Sequence, residues 1–146
     1  MAWSNQPKHL SLMIEIGKYV YMLFDGDCGI CTSFSEFARR VDTKKYFLVE
    51  PYQKFPEEEL IPLGTSYEKC AKKIHVITRS GGVYKGAFAL NYFFIKYFPW
   101  SLLVVFAYVM PVLLLVEIVG YAIVAKNRYH LSRWFGLKSC EMNHGR

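Results

Sequence analysis

The feature that most constrains this chain is the uninterrupted run Tyr19-Val20-Tyr21-Met22-Leu23-Phe24, stopped by Asp25-Gly26-Asp27 and followed at once by Cys28-Gly29-Ile30-Cys31. A β-branched, aromatic and aliphatic stretch of this length, bounded by a turn signal, reads as a strand buried on both faces, as in a parallel sheet. Beyond the turn, Ile30, Phe34, Phe37, Ala38 and Val41 recur at the spacing of one face of an α-helix. Arg39 and Arg40 stand where cations suit a helix C-terminus. Tyr46-Phe47-Leu48-Val49 supplies a second short strand. The order strand, helix, strand is a βαβ unit, and it places both cysteines at the strand-to-helix turn.

Downstream, the proline-rich stretch from Pro51 to Gly64 is expected to be a loop with a short helix starting near Pro56. Ile74-His75-Val76-Ile77-Thr78 and Val83-Tyr84 flank Arg79-Ser80-Gly81-Gly82, a hairpin signal. Gly86 to Phe98 reads as helix. From Tyr97 to Ala125 the only charged residue is Glu117. Pro111 divides this stretch, because proline costs about 3 kcal/mol inside a helix. Two helical pieces, 97 to 110 and 112 to 125, are therefore expected, each roughly 21 Å long at 1.5 Å per residue and short of a ~30 Å hydrocarbon core. A helical hairpin packed on the sheet is the favoured arrangement and a kinked membrane span its rival. The pieces are apolar nearly all round, more than one buried face requires, so membrane attachment or a dimer interface would absorb the excess.

The 146 residues fit one domain, 1 to 146, with a core at 18 to 98 and a helical extension at 99 to 140. With 53% hydrophobic and 17% aromatic residues the chain is not of a disordered class. The net charge of +6 does not collect into a basic stripe, which argues against a nucleic-acid groove. The first 17 residues lack the pattern of a secretory signal, so a cytoplasmic setting is the default expectation. In a reducing compartment four cysteines point to chemistry or metal rather than a disulfide framework.

Cys28 and Cys31 are the candidate catalytic pair. A thiolate is the attacking species in disulfide exchange, and a free cysteine at pKa about 8.5 supplies little of it at neutral pH. A helix N-terminus stabilises the anion, so Cys28 is the expected nucleophile and Cys31, one turn later, the resolving thiol. Asp25 and Asp27 oppose this, because a nearby carboxylate raises a thiol pKa. Asp25 is assigned the role of proton acceptor for Cys31. Asp27 is counted with Cys28, Cys31 and Asp25 among the candidate catalytic residues, with capping of the helix by accepting a backbone N–H as its favoured role. Gly26 and Gly29 suit a tight turn with close backbone approach.

These residues carry a resemblance. Phe24-Asp25-Gly26-Asp27-Cys28-Gly29-Ile30-Cys31 resembles the opening motif of the DCC family of thiol-disulfide oxidoreductases, named for its Asp-Cys-x-x-Cys. Val83-Tyr84-Lys85-Gly86-Ala87-Phe88-Ala89 is similar to that family's hairpin-to-helix junction, and Pro111 to its interhelical proline. Tyr121 through Ala125-Lys126-Asn127-Arg128-Tyr129, with Gly136 and Cys140, resembles its closing signature. The resemblance implies an α/β fold, a thioredoxin-like βαβ plus β-hairpin sheet with an added C-terminal helical hairpin. It also implies a thiol-disulfide oxidoreductase activity; the expected function is dithiol/disulfide exchange through Cys28 and Cys31 with a thiol or disulfide substrate, protein or small molecule, and no organic cofactor is expected. Two departures from thioredoxin itself stand out: Asp27 replaces the tryptophan before the first cysteine, and Lys72-Lys73 precede Ile74 where a cis-proline would face the cysteines. Lys73 is thereby a candidate cation near Cys28.

Rival readings are carried alongside. Cys28, Cys31, Cys140 and His144 have the spacing of a tetrahedral zinc site. Cys70 is expected to be a half-buried thiol, and His9, His75 and His130 structural or solvated. Asn127 and Arg128 either satisfy the terminal carbonyls of the apolar helix or, for Arg128, reach the Cys28 region. Trp134, Phe135 and the basic tail would rest on anionic lipid, which together with 97 to 125 also describes a non-enzymatic membrane-associated scaffold.

Overall fold

The computed structural model describes residues 13–137. Four strands, β1 (Val20–Phe24), β2 (Phe47–Pro51), β3 (His75–Ile77) and β4 (Val83–Lys85), form one sheet in the order β2-β1-β3-β4. β1 and β2 run parallel, so a crossover must join them, and helix α1 (Gly29–Val41) supplies it. β1 pairs antiparallel with β3, and β3 with β4. The remaining helices are α2 (Glu57–Leu60), α3 (Tyr67–Lys72), α4 (Ala87–Phe94), α5 (Trp100–Val109) and α6 (Pro111–Trp134). This is the mixed α/β, thioredoxin-like arrangement with a C-terminal helical part.

β1 is central, and all five of its residues are buried, as its unbroken apolar run requires. Alternate side chains serve two cores. Val20, Met22 and Phe24 join Phe47, Val49, Val76, Ala38, Ala89 and Phe93 on the α1 and α4 side, while Tyr21, Leu23 and Ile77 meet Tyr52, Phe55, Leu60 and Cys70 on the other. Phe93 is fully buried, its ring centroid 5.0 Å from those of both Phe47 and Tyr97. The deepest positions of α1 are Gly29, Cys31, Thr32, Ser35 and Ala38, with Ile30, Phe34 and Val41 half-buried beside them. Small residues go deepest because the helix lies close on the sheet and is itself covered by other helices. The turn after α1 is held by Asp42, a buried carboxylate that accepts hydrogen bonds from the backbone N–H of Tyr46 and Phe47, both at 2.8 Å, and from the Tyr97 hydroxyl at 2.5 Å.

Several boundaries differ from the sequence expectation. Helix α3 falls between the expected loop and hairpin; it is capped by Ser66, whose hydroxyl accepts from Lys69 N–H at 3.4 Å. Helix α4 stops at Phe94. The division at Pro111 is present, with proline at the first position of α6 and the two helices bent by 113°. α6, however, does not end near residue 125 but continues to Trp134. It does so because its polar second half turns Arg128 and Ser132, both buried, against the carboxyl end of β1 and the start of α1, where the cysteines lie. The hairpin is therefore not packed on the sheet along its length: the second half of α6 is docked, while α5 and the first half of α6 keep large apolar side chains exposed. No single helix among the described residues is long and apolar enough to cross a membrane.

Candidate active site

The site lies at the carboxyl ends of the parallel pair β1 and β2 and is closed from above by α6. Cys28 itself is the N-cap of α1: it sits in extended backbone, and its Sγ accepts the Cys31 N–H at 3.4 Å. The thiol thus takes the place that Asp27 was expected to hold. Asp27 is exposed, and its own N–H donates to Asp25 Oδ1 at 3.1 Å. Cys31 turns back one helical turn later, its Sγ 2.7 Å from that of Cys28. Cys28 is fully buried and Cys31 nearly so.

The two thiols are driven apart in acidity. The hydrogen bond donated by Cys31 lowers the Cys28 pKa to about 7 against the opposing effect of burial, assisted by the Cys31 backbone N–H and the Arg128 guanidinium. Cys31 is displaced strongly upward, first because its proton is held in the bond to Cys28, then by burial. One sulfur is poised as thiolate and its neighbour as thiol.

Asp25 is buried at the end of β1 and is the hub of the surrounding network. Its Oδ1 accepts from Gln53 Nε2 at 3.0 Å, and its Oδ2 accepts from the Tyr129 hydroxyl at 3.0 Å and lies 3.2 Å from Arg128 Nη2. Gln53 also accepts the Gly26 N–H at 3.2 Å, clamping the turn between strand and helix. Arg128 donates further to the carbonyl of Ala71 and to the Tyr129 hydroxyl, and its guanidinium stands 4.7 Å from the Tyr129 ring centroid. A buried, hydrogen-bonded ion pair of this kind fixes geometry, since breaking either partner leaves an uncompensated charge.

Three further contacts hold α6 and the residues just past it over the domain, one from α6 to the start of α1, one from Leu137 to Gly29 and one from Tyr121 to the segments flanking β3 and β4. Ser132 Oγ accepts the Ile30 N–H at 3.0 Å, satisfying a free donor at the start of α1. Just past α6, the Leu137 carbonyl approaches Gly29 so closely that a Cβ there would lie 2.7 Å from its oxygen. The Tyr121 hydroxyl accepts the Ile74 N–H at 3.0 Å, and the Tyr121 ring would lie 3.2 Å from a Cβ at Gly86, a glycine at φ +61°. These contacts account for glycine at both positions.

A cavity of about 180 Å³ lies beside Cys31, with Asp25 and Arg128 among its polar lining groups. Asp25 and Cys31 therefore both border one space. Lys73 lines the same cavity, but the cation acting on Cys28 is Arg128. Cys70 also borders it and is fully buried rather than half-buried, its Sγ 3.5 Å from Thr65 Oγ1. A more open groove of about 440 Å³ runs between Asp27 and Gly29 on one side and Tyr129, Ser132 and Arg133 on the other.

Arg128 is in mid-helix and reaches the site, so it is not a C-cap; Asn127, the other expected cap, donates to the Ile123 carbonyl at 3.0 Å. His130 is exposed. His75 is buried in β3 with Nδ1 2.8 Å from the Lys73 carbonyl. Cys140, His144 and His9 lie outside the described residues, and among the described residues no three His, Cys, Asp or Glu side chains converge as a metal would need. Gln53 and Ser132 were missed by sequence reasoning. Gln53 had one available signal: it follows β2 as Asp25 follows β1, and the ends of adjacent parallel strands are neighbours.

No curated protein and no solved structure matches the chain. A family model, described as DCC1-like thiol-disulfide oxidoreductase, matches residues 22–134, from within β1 to the last residue of α6, and so spans the cysteine turn and the helix that closes over it. With most of its length matched and both cysteines in place, the chain belongs to the DCC1-like thiol-disulfide oxidoreductase family.

Proposed function

We propose that the redox thiol-disulfide role of this family is carried out here by Cys28 and Cys31, with Cys28 as nucleophile, Cys31 as resolving thiol and Asp25 as proton acceptor. The observation that carries this reading is the 2.7 Å approach of the two sulfurs at the N-terminus of α1, with Cys28 lowered to about 7 and Cys31 raised. In the reducing direction, the Cys28 thiolate attacks one sulfur of a substrate disulfide, forming a mixed disulfide and expelling the other sulfur as thiolate. Cys31 then gives its proton toward Asp25 and attacks Cys28 Sγ. The second substrate thiolate leaves, and Cys28–Cys31 closes as a disulfide. Two electrons pass from the protein dithiol to the substrate, and the reverse sequence oxidises a substrate dithiol.

Arg128 acts in two ways in this scheme. It favours the charged form of Cys28 and holds Asp25 in place. The groove between Asp27, Gly29 and the end of α6 is the approach for the substrate sulfur, with the last turns of α6 shifting to admit it. The test is exchange with glutathione disulfide as probe. Cys31→Ser should accumulate one glutathionyl group on Cys28, whereas the reduced wild type should release glutathione and retain none. Modification of Cys70 instead of Cys28, or no adduct at all, would overturn the assignment.

A further inference from the structure

Outside the redox site, the least expected surface is the elbow between α5 and α6. Leu103, Phe106, Val109, Val112, Leu115 and Val116 are each more than half exposed, with Val112 at 70%. Within residues 98 to 116 the only polar side chains are Trp100, Ser101 and Tyr108. Glu117, the one charge between Tyr97 and Ala125, is withdrawn from this surface: its Oε2 accepts from Asn91 Nδ2 at 3.2 Å. A contiguous apolar protrusion of this extent exceeds what water normally faces on a monomer.

Charge appears only at the two ends. Lys96 precedes the apolar stretch and Lys126 follows it, both exposed, and Arg133, Trp134 and Phe135 are exposed further along α6. We propose that the α5–α6 elbow is a membrane-docking element: its apolar tip enters one leaflet of an anionic bilayer, and Lys96 and Lys126 meet the headgroups.

Three observations support lipid as the occupant. The 113° bend turns the chain back on itself, so the apolar elbow forms a protruding tip, with Lys96 before it and Lys126 after it in the chain. Helix α5, of 10 residues, is roughly 15 Å long, enough for one leaflet and too short to cross. Both backbones are helical, so apart from the bend their polar groups are satisfied internally, as a lipid environment demands. A second copy of the chain fits less well. A two-fold contact across the elbow would bring like-charged lysines together with no exposed acidic group on the elbow to pair them, whereas anionic headgroups complement them. This inference does not depend on the chemistry assigned to the cysteines.

The experiment is cosedimentation of the full chain with vesicles of phosphatidylcholine, with and without phosphatidylglycerol. Wild type should bind the mixed vesicles better than pure phosphatidylcholine, and added salt should weaken that preference. Val112→Glu with Leu115→Glu should lower partitioning on the order of tenfold or more. Lys126→Glu, at an exposed position, should weaken the preference for phosphatidylglycerol and keeps the proposal testable even if the first variant does not fold. Wild type that stays in the supernatant with mixed vesicles would overturn the proposal, as would a dimer in analytical ultracentrifugation that the Val112/Leu115 variant dissociates without any vesicle binding.

Discussion

Arg128 Nη2 lies 3.2 Å from Asp25 Oδ2, an ion pair buried between the last helix and the end of the first strand. It links residues more than a hundred positions apart and makes α6 part of the site around Cys28 and Cys31 rather than an appendage to it. The Asp25 carboxylate raises the Cys28 pKa while the Arg128 guanidinium lowers it, so the pair leaves the thiol with a partly cancelled field.

Arg128→Met is expected to be costly in two ways. Asp25 would remain buried without its cation, a loss of about 3–5 kcal/mol by analogy with broken buried pairs. The Cys28 pKa would rise above about 7 because the guanidinium no longer favours the thiolate, while the hydrogen bond from Cys31, the main cause of the low value, remains. Urea unfolding and the pH dependence of Cys28 alkylation measure the two effects, and Arg128→Lys should recover part of the second. An unchanged alkylation profile in Arg128→Met would remove Arg128 from the account of the site.

Gly29→Ala tests the closure of α6 over the thiols. The new methyl would meet the Leu137 carbonyl at 2.7 Å, and that atom belongs to backbone. Overpacking of this kind costs about 1–3 kcal/mol. The segment around Leu137 should therefore move away, lowering the melting temperature and speeding alkylation of the otherwise buried Cys28. A variant that is as stable as wild type and equally protected would show that this contact is not maintained in solution.

His75 makes stability depend on pH. Burial pushes its pKa down to about 4, and while Nδ1 bonds the Lys73 carbonyl, Nε2 has no partner among the described residues. The unfolded chain takes up this proton near pH 6.5, before the folded one does, so the contribution is complete above 6.5 and is lost as pH falls through about 4. The span corresponds to about 3 kcal/mol. Unfolding free energies measured from pH 7 to pH 4 should fall more steeply for wild type than for His75→Leu, and parallel curves would refute this.

What was legible in the sequence was local. The β1 run, the helix after it, the hairpin and the break at Pro111 each rest on a pattern of adjacent residues, and each is present. Helix α3 escaped because six residues with a single buried Cys70 show no period. The end of α6 was misplaced because its docked face there is made by Arg128 and Ser132, and polar residues leave no apolar stripe to follow. Residue preference at helix caps favours aspartate, which pointed to Asp27, yet the cap is the Cys28 thiol. Gln53 became part of the site only through the parallel pairing of β1 and β2.

The most direct test of the central claim is a redox titration of the full chain with alkylation and peptide mapping. The account predicts that Cys28 and Cys31 form one reversible disulfide, that Cys31→Ser abolishes it, and that Cys70 takes no part. Cys28 and Cys31 remaining separately alkylatable across the whole range of potentials would contradict it.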